Sequence, residues 1–296
     1  MSRMNFTIGA DPEFFIAKKG KVFPAYDVVP GTKDKPHNIE NGAMQVDGLA
    51  LEVNINPVSL AYSSAQFNTR LVSVIKQTKI EAEKKIGTCS IMKDSVAFFD
   101  EKTLECLPDS AKELGCDPDY SAYTCEHNPR PDGDVLFRVT GGHVHVGWNN
   151  SNDNPVEDPA YIELCADFVK VLDFFLGVPL KILDRDDRRR EMYGKAGAFR
   201  PKGYGVEYRS PSSWWIHSKA SRVAVYELVG FAVDSLSRYG TSEKLFSAYG
   251  TTAERVQSII DGKDNAEEAY KFYAGHLRYS SKTCDALVEA AKKKGF

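Results

Sequence analysis

Several features that would sort this chain at a glance are missing. No apolar run approaches the ~20 residues of a membrane span, and Met1 to Ile8 has no apolar core of the kind a signal peptide needs. The reading is therefore a cytoplasmic protein with no membrane partner. Charge of one sign is scarce as well: 38 Lys and Arg stand against 41 Asp and Glu. A net charge of -3 supplies no basic excess, which excludes a nucleic-acid partner of the usual electrostatic kind. The six cysteines, from Cys89 to Cys284, contain no CxxC pair, and Cys116, Cys125 and His127 match no common zinc spacing. They read as reduced structural thiols. Neither a Walker A loop nor a GxGxxG fingerprint occurs, and no repeat, low-complexity segment or clear linker interrupts the chain.

What is present is an ordinary globular composition, long enough at 296 residues to bury a full core. Phe6 to Ile16 reads as a strand across an acidic centre, and strand signals resume from Met44 to Asn56. Leu60 to Ile86 has helical spacing, with Leu71, Val72, Ile75 and Ile80 able to share a face and Pro57 and Ser59 suiting its start. Residues 87–133 are loop-rich, with a hairpin expected over Ser95 to Cys106. Val135 to Trp148 reads as a strand, and Pro159 to Gly177 as an apolar helix stopped by Gly177 and Pro179. A basic, glycine-rich stretch, Arg185 to Gly205, leads into a strand, Gly205 to Ser210, and the part from His217 onward is mostly helical. Strands first, then helices with strands returning, predict an α+β domain.

One pattern recurs four times. Asp11 and Glu13 are two apart, as are Glu52 and Asn54, His143 and His145, and Glu207 and Arg209. Residues two apart on a strand share a face, and Val53, Val144 and Tyr208 fill three of the intervening positions. Carboxylates and imidazoles are expensive to bury unless paired or metal-bound. Taken singly, each pair fits a solvent-facing strand or a turn. Together they predict one wet pocket whose acids and histidines suit magnesium or manganese.

The second signal is DRDDRRREMYGKAGAFRPKGYGVEYR, from Asp184 to Arg209. Glycines let backbone N–H groups approach a phosphate while Arg188, Arg189, Arg190, Lys195, Arg200 and Lys202 neutralise it. By itself such a stretch fits a solvated loop equally well. Directly ahead of the Glu207 and Arg209 strand, it is what a metal–nucleotide enzyme requires.

Taken together, GADPEFF at Gly9 to Phe15, QVDGLALEVN at Gln45 to Asn54, GCDPDY at Gly115 to Tyr120, GGHVHVG at Gly141 to Gly147, YGKAGAFRPKGYGVEYR at Tyr193 to Arg209, and Ser213 with Trp215 resemble a known family. It is the phage-type carboxylate–amine (COOH-NH2) ligases, a branch of the glutamine synthetase and glutamate–cysteine ligase superfamily. The resemblance implies a single catalytic domain over residues 1–296, with an antiparallel sheet curled into a funnel and flanking helices. Residues 87–133 would be a loop-rich insertion and 217–296 a helical C-terminal part. It implies ATP with Mg2+ or Mn2+ as cofactors, and small-molecule or peptide carboxylate and amine substrates, on peptide or cell-wall-type material. Metal ligands carried over by motif are Glu13, Glu52, His145 and Glu207, joined by Asp11 and His143. Arg209 matches the arginine that faces the transferred phosphoryl group, and Lys195 and Arg200 fall in the phosphate-facing segment. Arg188 and Asn54 complete the expected nucleotide contacts, and Arg209, Arg200 and Glu207 the expected catalytic set. A carboxylate must take the proton of the incoming amine, for which Asp47 and Asp117 are candidates. Two other readings compete: a metallohydrolase using the HVH strand, and a phage binding protein that kept the fold without turnover. A hydrolase of that type needs further histidines, and only His217 and His276 follow.

Overall fold

The computed structural model describes residues 3–112, 119–129, 137–148, 152–184, 186–262 and 266–295. In chain order the strands are β1 Thr7–Ala10, β2 Glu13–Phe14, β3 Ile16–Lys18, β4 Lys21–Phe23, β5 His37–Ile39, β6 Gly42–Asp47, β7 Ala50–Ile55, β8 Val58–Ser59, β9 Ser90–Ile91, β10 Val96–Phe98, β11 Tyr120–Ser121, β12 Phe137–Val139, β13 Val144–Gly147, β14 Ala198–Lys202 and β15 Gly205–Tyr208. The α-helices are α1 Ser64–Ile86, α2 Glu101–Glu105, α3 Asp109–Lys112, α4 Pro159–Leu172, α5 Val178–Leu183, α6 Arg188–Met192, α7 Lys219–Tyr239, α8 Ser242–Ala248, α9 Ala253–Asp261, α10 Ala266–His276 and α11 Lys282–Lys293. The expected α+β class holds.

Every pairing between these strands is antiparallel. Six strands form one sheet in the order β11-β14-β15-β13-β1-β8, and four form another in the order β2-β7-β6-β5. One face of the first sheet is apolar: Ile8, Val144, Val146, Phe199, Val206 and Tyr208 are buried in a core shared with α4, α5 and α7. Period-two alternation sends the residues between them, His145 and Glu207 among them, to the other face. Helix α1 covers the second sheet and packs on α7, where Phe67 stacks on Trp215 at 6.1 Å. Among the described residues no helix is long and apolar enough to cross a membrane, and the described cysteines are unbridged.

Several elements depart from the expected ones. The strand read over Phe6 to Ile16 breaks at Asp11 and Pro12, and β1, β2 and β3 enter three different sheets. Proline has no N–H for a ladder. Its carbonyl accepts from Val53 N at 3.2 Å, which starts the second sheet. The strand read from Met44 to Asn56 is a hairpin, β6 and β7, turning at Gly48. Helix α1 starts after Ser63, and buries Phe67, Leu71, Val74, Thr78 and Ala82. Val72 and Ile80, expected on that face, are exposed. The hairpin expected at Ser95 to Cys106 does not form: β10 pairs with β12, some forty residues on, and Asp100 caps α2 instead. Val135 to Trp148 gives two strands in different sheets, β12 and β13, with the turn at Gly141 between them. Gly177 and Pro179 do not end the apolar helix. The five residues Asp173–Gly177 widen into a π turn that carries α4 into α5, and such a turn tolerates a proline that lacks a donor.

Candidate active site

Register builds the centre of the site. His145 stands opposite Glu207, and Glu207 opposite Arg200, so β13, β15 and β14 place an imidazole, a carboxylate and a guanidinium side by side. Asp11 leaves the end of β1 beside this row. Its Oδ1 lies 3.0 Å from His145 Nε2 and 3.3 Å from His143 Nδ1. Glu207 is 1% exposed. It pairs with Arg209 Nη1 and, at 2.8 Å, with Lys202 Nζ, while Arg200 Nη1 stands at 4.0 Å. Arg209 also reaches Asp119 Oδ2 at 3.3 Å. Asp119 belongs to the GCDPDY motif, whose first four residues, Asp117 included, lie outside the described residues.

Two residues after Asp11 the chain has entered the second sheet, where Glu13 stands directly opposite Glu52. Like charges in that position repel. Gln45, opposite Glu52 on β6, donates to its Oε2 at 2.8 Å and accepts from Asn54 Nδ2 at 3.4 Å. Asp47 completes the group: one ligand atom from each of Glu13, Asp47 and Glu52 falls within 4.8 Å of the others. Asp11, His145 and Glu207 meet the same condition. The polar pair read on one strand thus supplies one acid to each of two triads.

The segment between β12 and β13 is held from behind. Gly141 N donates to Glu13 Oε2 at 2.7 Å. A Cβ on Gly141 would lie 2.1 Å from His143 Nε2, so glycine there lets the ring fold over the turn. Trp215 Nε1 donates to Gly142 O at 2.9 Å, which gives the Ser213 and Trp215 motif a supporting part. Buried Arg189 donates to the carbonyls of Thr140, Arg209 and Ser210 at 2.8–3.1 Å and ties the turn to the end of β15.

The triads differ electrostatically. Burial alone would raise Asp11, but His145 and His143 hold it well below the usual carboxylate range. Glu207 is likewise held low, its burial outweighed by Arg209, His145 and Lys202. His143 is pushed down to about 4 by burial and by Arg209, whereas His145 is raised because Asp11 overcomes its burial. The second triad goes the other way. Burial and Asp47 push Glu13 up to about 7. Glu52 is raised well above its ordinary value by burial, with Asp11, Glu13 and Asp47 adding to it, and burial raises Asp47 too.

Both triads suit a hard divalent cation by donor chemistry, carboxylate oxygens with one imidazole nitrogen. A second observation agrees. Asp11 Oδ1 and His145 Nε2 are buried and make no hydrogen bond, although they face each other. Tyr204 Oη contacts His145 Nδ1 and holds the ring in that orientation.

A cleft of about 650 Å³ opens over the second triad, Asp11, His143, Glu207, Arg209, Arg200 and Asn54. A smaller one, about 430 Å³, reaches His145 from the other side and shares Asn54. Of the residues expected to contact a nucleotide, Arg200, Arg209 and Asn54 line the larger cleft; Lys195 and Arg188 line neither. Lys195 is exposed, its carbonyl accepts from Ser210 Oγ at 2.7 Å, and its charge bears on Asp261. Arg188 pairs with Asp186 and lies over the Phe98 ring. The basic stretch is no open loop: α6, β14 and β15 occupy most of it, and Lys202 is the lysine it delivers. The sequence reading counted Arg189 and Lys202 only among the phosphate-neutralising cations, gave Gln45 and Tyr204 no role, and gave Asp47 no metal role. Gln45 and Asp47 carried the same signal as the other pairs: two apart, with Val46 between.

Residues 137–253 match the family profile described as "Phage phiEco32-like COOH.NH2 ligase-type 2". This segment is similar to the phage-type carboxylate–amine ligases. The ligase-type segment contains His143, His145, Arg200, Glu207 and Arg209, while Asp11, Glu13, Asp47 and Glu52 precede it and are joined to it by the fold. No curated protein matches the chain. Among solved structures, "GmaS/ADP complex-Conformation 1" aligns over 98% of this chain and 69% of its own, at 9% identity and a TM-score of 0.41. That likeness is too slight to add to the ligase-type assignment.

Proposed function

We propose that the chain is an ATP-dependent carbon–nitrogen ligase that activates a carboxylate as an acyl phosphate and passes it to an amine. One observation carries the reading: the carboxylates of both triads, Asp11 and Glu207 with Glu13, Asp47 and Glu52, and the cations Arg200, Lys202 and Arg209 line one cleft. A carboxylate is a poor electrophile with a poor leaving group. Its oxygen would attack the γ-phosphorus of ATP, the bond to the β,γ-bridging oxygen would break, and ADP would leave. The amine would then attack the acyl carbon, inorganic phosphate would depart, and the amine proton would pass to a base. Both partners of the first step are anionic. Bound Mg2+ or Mn2+ would supply charge that screens them. The Asp11, His145 and Glu207 triad and the Glu13, Asp47 and Glu52 triad would hold such ions.

Arg209 and Arg200 would then meet the charge that develops on the transferred phosphoryl group, and a guanidinium fork suits phosphate oxygens. The fold we infer is a glutamine-synthetase-like curled sheet forming a funnel, with residues 1–296 as one catalytic unit. Its substrates would be peptide or cell-wall-type carboxylates and amines, and its place the cytoplasm, the host's if the gene is a phage's. The hydrolase reading finds no support in the later histidines. His276 Nδ1 contacts Tyr249 O at 2.8 Å in the helical region, and neither His217 nor His276 lines the two clefts.

ADP release measured with Mg·ATP and a panel of carboxylates and amines tests the proposal. ADP that appears only when both partners are present supports it. Hydrolysis of an amide without ATP would favour the hydrolase, and nucleotide binding with no turnover on any pair would favour a silent binding protein.

A further inference from the structure

Behind β15, on the face away from the cleft, lies a buried acid that the reaction does not use. Asp173 is fully buried at the start of the π turn. Its Oδ1 accepts from Tyr208 Oη at 2.6 Å and faces Ser210 Oγ at 3.5 Å, and its Oδ2 accepts from Tyr123 Oη at 2.9 Å. Tyr208 and Ser210 flank Arg209, and Tyr208 follows Glu207. The carboxylate therefore holds the chain through Tyr208, directly before the guanidinium that pairs with Glu207, while Ser210 Oγ gives its one proton to Lys195 O at 2.7 Å on the other side. The approach is close: a Cβ on Gly177 would stand 2.8 Å from Tyr208 Oη, so glycine leaves room for the phenol beneath the turn. The grip is costly. Burial pushes Asp173 up to about 7 despite the two tyrosine hydroxyls, and an apolar residue in a core helix would avoid that cost.

We propose that Asp173 is a positioning residue that, through Tyr208, fixes β15 so that Glu207 and Arg209 face the cleft in one register. The role rests on the ligase reading for its effect on turnover. It does not rest on that reading for its effect on metal binding. Tyr123 supplies an internal control. Its phenol donates to the same carboxylate, but it belongs to residues 119–129 and not to β15.

The experiment compares Tyr208→Phe, Ser210→Ala and Tyr123→Phe, with Asp173→Asn added where it folds. Three quantities are read: single-turnover ADP formation, KM for ATP, and Mn2+ affinity of the resting protein titrated by EPR. Displacing a reacting group by about 1 Å can cost up to roughly a hundredfold in rate. The expected result is a fall of about tenfold or more in ADP formation for Tyr208→Phe, a smaller fall for Ser210→Ala, and little change in KM. Mn2+ affinity falls in Tyr208→Phe and holds in Tyr123→Phe. Equal effects of the two tyrosine variants, or none from Tyr208→Phe, overturn the clamp. If the wild-type protein binds Mn2+ but forms no ADP, the ligase reading falls, and the Mn2+ comparison still decides the clamp. If it neither binds Mn2+ nor forms ADP, both fall.

Discussion

The two triads are both rich in carboxylates and draw Asp11 and Glu13 from one short segment, yet they stand in opposite electrical states. Around Asp11 and Glu207 the sheet has already placed His145, Arg209 and Lys202, and both acids are held ionised. Around Glu13 and Glu52 the nearest ionisable groups are other acids, and both carboxyls hold protons more tightly than usual. The first triad is an ion-pair network that a metal would rearrange. The second is a frustrated group that gains most from a cation. Acidic residues alone therefore do not rank two candidate metal sites; the neighbouring charges do.

Glu207→Gln bears on this contrast most heavily. It leaves Arg209 and Lys202 facing a neutral amide. We expect ADP formation to be abolished, together with a loss of stability on the order of 3 kcal/mol, as when one partner of a buried pair is removed. Circular dichroism and a thermal melt, run beside the ADP assay, check both. A folded variant with normal activity would remove Glu207 from the site, and one that unfolds outright would make it structural only.

Arg209→Lys follows. Losing a planar donor fork in the transition state costs ~3 kcal/mol, about a hundredfold in rate. Single-turnover ADP formation should drop by that factor while calorimetric ATP affinity changes little. Normal ADP formation with a lowered melting temperature would leave Arg209 as a partner of Glu207 and nothing more.

Metal binding sharpens the comparison from the other side. At a concentration a hundred times its dissociation constant, Mg2+ should stabilise the wild-type protein by about 2.7 kcal/mol. Glu52→Gln should be more stable than wild type in EDTA and should lose most of the Mg2+ effect. Calorimetry of ATP binding with and without EDTA belongs to the same test, and equal affinities would count against both triads.

The smallest effect is in pH. Because Glu13 holds its proton up to about 7 when folded, the unfolded chain ionises first as pH rises from the usual carboxylate range. The folded state thus loses stability across that window and no more above it, the reverse of an acid held low. In EDTA, Glu13→Gln should remove about 1 kcal/mol of this decline, a fraction of the whole because the triad titrates together. Urea melts at pH 5 and pH 7.5 measure it; a wild-type and variant difference that does not change with pH would refute the assignment.

Much of the site was legible because strand alternation is a strict geometric code. Glu52 with Asn54 and Glu207 with Arg209 line the larger cleft, whereas His143 lines that cleft and His145 the smaller one; the α+β class followed from element order. What failed was any inference needing partners distant in sequence. Nothing in Phe6 to Ile16 announces that Asp11 and Glu13 go to different sheets, because Val53 and Gly141 decide it. Val96–Phe98 looked like half a local hairpin, and its partner lies beyond 130. Lys195 was assigned to phosphate because glycines surround it. In the fold its carbonyl is held by Ser210, and Lys202 reaches Glu207 instead. Val72 was placed on the buried face of α1 by its apolarity, although the true stripe runs through Phe67, Leu71, Val74 and Thr78.

The break at Asp11 and Pro12 works as a gauge. With one acid in each triad and a single proline between them, the Cα atoms of Asp11 and Glu13 lie no more than ~7 Å apart. No helix or loop stands between them to stretch. Lengthening the chain there by a single residue would shift one triad against the other and turn Glu13 to the wrong side of its sheet. A much longer insertion between Asp100 and Pro108, where the short helix α2 lies, would leave that spacing untouched.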